Sequence, residues 1–312
     1  MWGGKSLAVV LPTYNEKDSI VDTIRRFEAL GIVDEVLVVN NNAAPGTSEE
    51  VARTGAREVV ETAQGYGAAI RRGLREVDTD LVCICEPDGT FDPEDLRKLL
   101  PFTVECELVV GSRTVSNYIW EGANMGLFLQ WGNWAVAKLI EVLFNTGYLS
   151  DVGCTFRVLS RRCVNDISPE FTKTGSSFGL EMLLIALLRR IKVVQLPVNY
   201  HPRVGHSSVT GDLGKTVTLG LQMIGMVLRM RGRAASVRRR AAVARWPAQN
   251  RSRPTWTHRA PPPTLPGGLP DAVRPSPGSS PRPGSWSSSS WSPSSPGSST
   301  ATGRRSARRW DS

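Results

Sequence analysis

The strongest constraint in this sequence is the alternation of short, uniformly apolar runs with helical patterns. Residues 7–11 (LAVVL), 35–40 (EVLVVN), 57–61 (REVVE), 81–85 (LVCIC) and 107–112 (ELVVGS) read as strands. Between them, residues 18–30 place Ile20, Ile24, Phe27 and Leu30 at helical spacing, EEVART reads as a short helix, and residues 67–77 as a longer one. Residues 93–100 read as a helix that opens on proline, which suits an N-terminal helical position. Strands apolar throughout, rather than alternating, belong to a parallel sheet covered on both faces. The expected fold class is therefore an α/β sandwich with a mainly parallel sheet. In open sheets of this kind ligands bind beyond the carboxyl ends of the strands.

The second half differs in character. Residues 126–144 (GLFLQWGNWAVAKLIEVLF) form a long helical pattern with Gln130, Asn133, Lys138 and Glu141 on one side. TFRVLS reads as a strand, GLEMLLIALLRR as a helix and KVVQLPVNY as a further strand. The apolar segment 216–228 offers only about 12 residues against the roughly 20 a spanning helix needs, so it is expected to lie on a membrane surface at most.

Charge divides the chain in two. Residues 229–312 hold 16 Arg, no Lys and 2 Asp, whereas residues 1–228 hold 22 basic and 27 acidic side chains, so the net +9 belongs to the tail. From residue 233 onward Pro, Ser, Gly and Arg dominate, a composition that cannot bury enough apolar surface to offset chain entropy. Residues 1–232 are accordingly expected to be the folded domain and 233–312 a disordered tail. Three readings fit the tail: a tether to anionic membrane, a solvated run without a role, or out-of-frame coding sequence. A nucleic-acid partner is excluded, since no basic face interleaved with stacking groups precedes Arg229. The five cysteines form no CxxC pair and are expected to be buried thiols in a reducing compartment. No stretch near Met1 has the length and flanks of a signal peptide, which makes a cytoplasmic location the expectation.

The chemistry gathers at the strand ends. Glu86 and Asp88 follow a buried strand with Pro87 between them and Gly89 after, so both carboxylates can enter one cleft. Hard oxygen ligands of this kind suit Mg²⁺ or Mn²⁺, which take their remaining positions from water and substrate phosphate. The plainer alternative is an acidic turn with a helix cap, because FDPEDL also reads as a capping sequence. PTYNE (12–16), VVNNN (38–42) and VVGSR (109–113) end three other strands and bring a tyrosine, amides, a carboxylate and Arg113 to the same edge. Amides and carboxylates can read a nucleobase or ribose, and Arg113 can meet a diphosphate with its planar fork.

LAVVLPTYNE, the Asn-rich end of the second strand, EPDG, VVGSR and DVGCTFRVLSR together resemble a family 2 glycosyltransferase of the GT-A fold. The subgroup most similar is that of dolichyl- or polyprenyl-phosphate sugar transferases, over about residues 5–230. The resemblance implies that Pro12, Tyr14, Glu16 and Asn41 line a nucleotide pocket, that Glu86 and Asp88 hold the metal or its waters, and that Arg113 and Arg157 face phosphate. Two positions depart from the family pattern. Glu86 stands where the first Asp of an Asp-x-Asp motif is common, and Asn40 and Asn41 stand where an Asp pair is common.

GYGAAI (65–70) approaches a dinucleotide fingerprint, but it follows the third strand and lacks the third glycine. Its glycines, Gly67 in particular, are expected to let a helix start approach the sheet edge near the diphosphate. His201 and His206 lack the partners of a metal site. Their loop, with Arg203 and Ser207, is expected to fold over a donor or acceptor phosphate. Trp120, Trp131 and Trp134 are either core aromatics or membrane-facing ones.

The function implied is inverting transfer of a sugar from a nucleotide-diphosphate donor to a polyprenyl phosphate, by an enzyme peripheral to the cytoplasmic face of the membrane. An acceptor phosphate needs no general base; for a hydroxyl acceptor Asp151 is the candidate. The alternatives are transfer to a saccharide hydroxyl and a non-catalytic nucleotide-sugar-binding module. A nucleotidyltransferase would want a Gly-rich basic loop in place of PTYNE.

Overall fold

The computed structural model describes residues 1–123, 127–204, 218 and 220–233. The expected tail lies outside these residues apart from Arg233, as do Gly126, His206 and Ser207.

One seven-stranded sheet organises the fold. Its strands are β1 (Leu7–Thr13), β2 (Glu35–Asn40), β3 (Arg57–Val60), β4 (Leu81–Ile84), β5 (Leu108–Ser112), β6 (Arg157–Ser160) and β7 (Val193–Pro197), in the order β3-β2-β1-β4-β6-β5-β7. Every pairing is parallel except those of β6, which runs against both β4 and β5. The mainly parallel sheet is thus as expected, with one reversed strand. β1, β4 and β5 are buried along their whole lengths, as uniformly apolar runs require.

Helices α1 (Lys17–Ala29), α2 (Thr47–Val51), α3 (Tyr66–Glu76), α4 (Leu96–Leu99), α5 (Leu127–Phe144), α6 (Arg161–Ile167) and α7 (Phe178–Leu188) connect and cover the strands. α1 buries Ile20, Ile24 and Phe27 from the stripe read in the sequence. Each such side chain contributes about 1.5–3 kcal/mol on burial. α3 lies directly on β1, since a Cβ on Gly73 would run into Val10 Cγ1. α7 buries residues around most of its circumference, from Phe178 through Ala186, which explains why its sequence carries no polar face.

Two local readings are corrected. The helix expected over 93–100 is a 3₁₀ turn (Pro93–Asp95), the single α-turn α4 and a second 3₁₀ turn (Leu100–Val104). Asp92 caps the first turn by accepting from Glu94 N at 3.0 Å, and Pro101, without an amide hydrogen, prevents the α-helix from continuing. α6 was not expected at all. Ser160 caps it by accepting from Cys163 N at 3.1 Å, and it buries Cys163, Val164 and Ile167. The segment 216–228 is described at 218 and from 220, where a helix runs to 233 with Leu221 and Leu228 exposed and Val227 buried.

The topology gathers six carboxyl ends, those of β1, β2, β3, β4, β5 and β7, at one edge. The reversed β6 begins at that edge, with Arg157 opposite Ile84 on one side and Val110 on the other. Among the described residues all five cysteines are free, and Cys83, Cys85, Cys154 and Cys163 are buried. Burial raises the Cys154 thiol to about 12, which leaves it protonated and inert.

Candidate active site

The first wall of the edge is the turn after β1. Glu16 folds back on its own turn, its carboxylate accepting from Tyr14 N at 2.7 Å and Asn15 N at 2.9 Å. Pro12 is buried in β1 beside Val39, and Tyr14 is 46% exposed above it. Ser19 on α1 donates to Pro87 O at 2.6 Å, tying this turn to the acidic loop after β4.

Asn41 is placed at the same edge but uses its amide internally. Its Nδ2 donates to Glu61 O and Ala63 O, both at 2.8 Å, and its Oδ1 accepts from Gly65 N at 2.7 Å. With its side chain 3% exposed and both ends bonded, Asn41 holds the loop after β3 rather than presenting a free amide. The glycines that follow are also used for packing. A Cβ on Gly67 would stand 2.6 Å from Phe178 Cβ and 3.0 Å from Thr174 C, and Ala68 N donates to Thr174 O at 3.1 Å. The start of α3 is therefore closed by the segment 174–178. Gly67→Ala is expected to destabilise the fold by about 1–3 kcal/mol through overpacking, read as a lower urea midpoint. An unchanged midpoint would show that this contact can relax freely.

Glu86 and Asp88 converge as the loop kinks. Asp88 is fully buried; its Oδ1 accepts from Thr90 N at 2.9 Å and Thr90 Oγ1 at 2.5 Å. Its Oδ2 accepts no hydrogen bond from the protein, yet Arg203 Nη2 stands 2.5 Å away. The same guanidinium nitrogen donates to Glu86 Oε2 at 3.3 Å. One cation thus sits between the two carboxylates. Burial, with Asp88 beside it, pushes the Glu86 carboxyl up to about 7, despite Arg203 and Arg113 drawing it down.

The residues fit a hard divalent ion on these observations: two carboxylates share one cation position, and a buried carboxylate oxygen there lacks a directional partner. Among the described residues no group of three or more His, Cys, Asp or Glu is arranged to hold a metal. The remaining ligands would come from substrate phosphate and water.

Arg113 and Asp151 form the second charged element. Arg113 Nε and Nη2 donate to the two oxygens of Asp151 at 2.8 and 3.0 Å, and Arg113 N donates to the same carboxylate at 3.0 Å. Asp151 also accepts from Gly153 N at 2.9 Å. Burial opposes both charges, but each holds the other ionised: Arg113 is raised well above its ordinary value and Asp151 lowered. Arg113 also lies over the Tyr200 ring at 5.4 Å.

Arg157 spends its guanidinium on backbone carbonyls. It is 2% exposed and donates to Cys154 O at 2.8 Å, Gly179 O at 2.5 Å and Val152 O at 3.5 Å. It ties β6 to the start of α7 and the 151–155 loop. Burial draws its pKa down, with Tyr66 acting the other way.

No spacing or motif marks how the segment 199–204 is attached. Asn199 donates through both its backbone and side-chain nitrogens to the buried Asp95. Tyr200 bridges Phe91 on one side and Ile119 on the other, and Trp120 stacks on His201 with ring centroids 4.6 Å apart. His201 N donates to Thr90 O at 2.8 Å and Val204 N to Asp88 O at 2.9 Å. Buried Glu181 likewise orders the loop before α7, accepting from Thr172 and Lys173 backbone amides. An Asp three residues before Lys98 and a Glu within an apolar helix were the only sequence signals for these two carboxylates. A cavity of about 660 Å³ lies elsewhere, at the start of β7, lined by Leu143, Phe144, Lys192 and Arg231 among others.

Comparison with known proteins fits this geometry. The model of the family described as glycosyl transferase family 2 matches residues 8–167. The low-salt glycan biosynthesis hexosyltransferase Agl6 of Haloferax volcanii is 30% identical over 65% of this chain, which spans half the length of that relative. The dolichyl-phosphate hexose transferase of the same organism is 27% identical over 65% of this chain and 86% of its own length. Among solved structures, glucosyl-3-phosphoglycerate synthase from Mycobacterium tuberculosis, in complex with Mg²⁺ and uridine diphosphate, superposes with a TM-score of 0.57. It covers 73% of this chain and 80% of that one at 20% identity, a likeness of fold.

Proposed function

Because the chain belongs to glycosyl transferase family 2 and folds as a GT-A type sandwich, we propose that it moves a hexose from a nucleotide-diphosphate sugar to a polyprenyl phosphate. The observation that carries this reading is the convergence of Glu86 and Asp88 on one cation position, at the strand edge that also holds Arg113. The subgroup is supported by relatives such as the dolichyl-phosphate hexose transferase.

Glu86 and Asp88 would hold Mg²⁺ or Mn²⁺, which when bound neutralises charge on the leaving diphosphate. Pro12, Tyr14, the turn fixed by Glu16 and the loop fixed by Asn41 wall the nucleotide side. Arg113 spends its Nε–Nη2 fork on Asp151 and so does not present it to the diphosphate; its remaining guanidinium N–H groups are those left to donate to phosphate as the sugar–phosphate bond breaks. A single displacement from the opposite face inverts the anomeric centre. Arg203 and Ser207 belong to the segment assigned to phosphate. Arg157 and Gly67 act through packing on this reading, away from the reacting atoms.

The state of Asp151 favours a phosphate acceptor over a hydroxyl. Both of its oxygens are committed to Arg113 and Gly153, and its pKa is lowered, so it is a poor proton acceptor. An acceptor phosphate arrives already ionised and asks for no base.

Among the described residues no helix is long and apolar enough to cross a membrane. Approach to a lipid acceptor is assigned to exposed apolar groups. On α5 Trp131 and Trp134 are exposed and pack edge to face, and Leu221 and Leu228 are exposed on the helix over 220–233. Arg229, Arg231 and Arg233 on that helix add about 1 kcal/mol each near an anionic surface.

Sedimentation with anionic vesicles tests this attachment. The protein is expected to pellet at low ionic strength, less so at high salt, and less when Leu221 and Leu228 are replaced by Ser. Protein that stays in the supernatant at low salt while glycosylating a soluble saccharide would overturn the lipid acceptor and favour transfer to a saccharide hydroxyl.

A further inference from the structure

We propose that Arg203 is a built-in counter-cation: its guanidinium takes the divalent-ion position between Glu86 and Asp88, so that metal binding must expel it and thereby frees the 202–204 segment. The inference rests on the metal reading of this site and adds a coupling between the ion and a loop of the chain itself.

The geometry carries it in three steps. First, Arg203 Nη2 is within 2.5 Å of Asp88 Oδ2 and 3.3 Å of Glu86 Oε2, so the same two oxygens cannot hold an ion and this side chain together. Its contact with Asp88 makes no hydrogen bond, a charge-on-charge contact of the sort an ion would replace. Second, the segment is anchored by two sets of contacts. Asn199 is fixed by Asp95, Tyr200 by Phe91 and Ile119, and His201 by Trp120 and by its N donating to Thr90 O, none of these through the side chain of Arg203. Arg203 and Val204 are held to the loop 86–89 itself, by the ion pairs and by Val204 N donating to Asp88 O. Arg203 can therefore leave without undoing the anchor at 199–201. Third, the close approach is built in: Gly89 has φ +77°, and a Cβ there would meet Val204 Cγ2 at 3.0 Å.

The consequence is a competition. While Arg203 pairs with the carboxylates, only the fraction of molecules with Arg203 away can take the ion, and the apparent metal affinity is reduced by that fraction. Once expelled, the guanidinium is left at the rim of the same cleft, where a phosphate provides its next partner. Metal occupancy thus readies the segment for an anionic ligand, without a second site.

Free Mn²⁺ measured by electron paramagnetic resonance, in titrations of the full chain alone and with UDP or GDP, tests the competition. Arg203→Gln removes the charge and is expected to bind Mn²⁺ about tenfold tighter than the wild type. Arg203→Lys keeps a cation and is expected to stay near the wild type. In the wild type, Mn²⁺ should also speed hydrogen exchange at the Val204 amide and leave Asn199 protected. Equal or weaker Mn²⁺ binding by Arg203→Gln, in proteins that do bind the ion, would overturn the proposal and leave the metal site standing. Absence of Mn²⁺ binding by all three proteins under every condition would instead overturn the metal reading, and the proposal with it.

Discussion

Asp88→Asn is expected to lower sugar transfer at least about a hundredfold while the protein remains folded. The substitution is nearly isosteric. An Asn oxygen can still accept from Thr90 N and Thr90 Oγ1, so the turn that shapes the acidic loop persists. What disappears is the negative charge at Oδ2, the buried atom aimed at the cation position. A stabiliser of charge that develops in the transition state acts with little screening in such a place, which is why its loss falls on rate. Initial rates with Mg²⁺ or Mn²⁺, alongside far-ultraviolet circular dichroism, provide the check. A folded variant with wild-type turnover would remove Asp88 from the metal site.

Asp151→Ala is expected to cost about 3–5 kcal/mol of stability, because it leaves the guanidinium of Arg113 buried without its partner. The pair is held by two side-chain hydrogen bonds and by Arg113 N, and its carboxylate is inaccessible to solvent. Since the folded pKa of Asp151 is depressed, the pair's contribution is present above the ordinary carboxylate pKa and is lost as pH falls through the lower folded value. Urea unfolding at neutral pH measures the loss, and the difference from wild type should shrink in acid. The outcome separates two roles. A general base would lose activity at unchanged stability, whereas a partner that sets the fork of Arg113 loses both.

Much of the fold was legible because burial and periodicity act on the same residues. LAVVL, LVCIC and ELVVGS are apolar on both faces since helices cover both, and the stripe of Ile20, Ile24 and Phe27 faces the sheet. The reversal of β6 was not legible: RVLS, flanked on both sides by neighbours, is as buried as a parallel strand, and direction leaves no mark on composition. The sequence signal for α6 is Ser160 followed by Cys163, Val164 and Ile167 at helical spacing.

At the site, residue types located the edge but not each side chain's partner. Glu86 and Asp88 meet one guanidinium, that of Arg203, while Arg113 is paired with Asp151. The resemblance implies that Asn41 lines the nucleotide pocket; in the structure its amide closes the loop after β3, because a buried amide takes nearby carbonyls in preference to none. Arg157, on the one strand that starts at this edge, turns inward to three carbonyls. The ion pair of Arg203 with Glu86 and Asp88 spans more than a hundred residues of sequence, a distance at which spacing carries no information.

Transfer of a sugar from a nucleotide diphosphate to a lipid phosphate is the activity proposed for this edge. The direct measurement supplies radiolabelled nucleotide sugars with Mg²⁺ or Mn²⁺ to the purified protein, with extracted polyprenyl phosphate or simple saccharides as acceptors. Label is expected in the organic phase only with polyprenyl phosphate and metal, as a product of inverted anomeric configuration. Label transferred to saccharide hydroxyls alone, or equal transfer to lipid phosphate with the metal chelated, would contradict it.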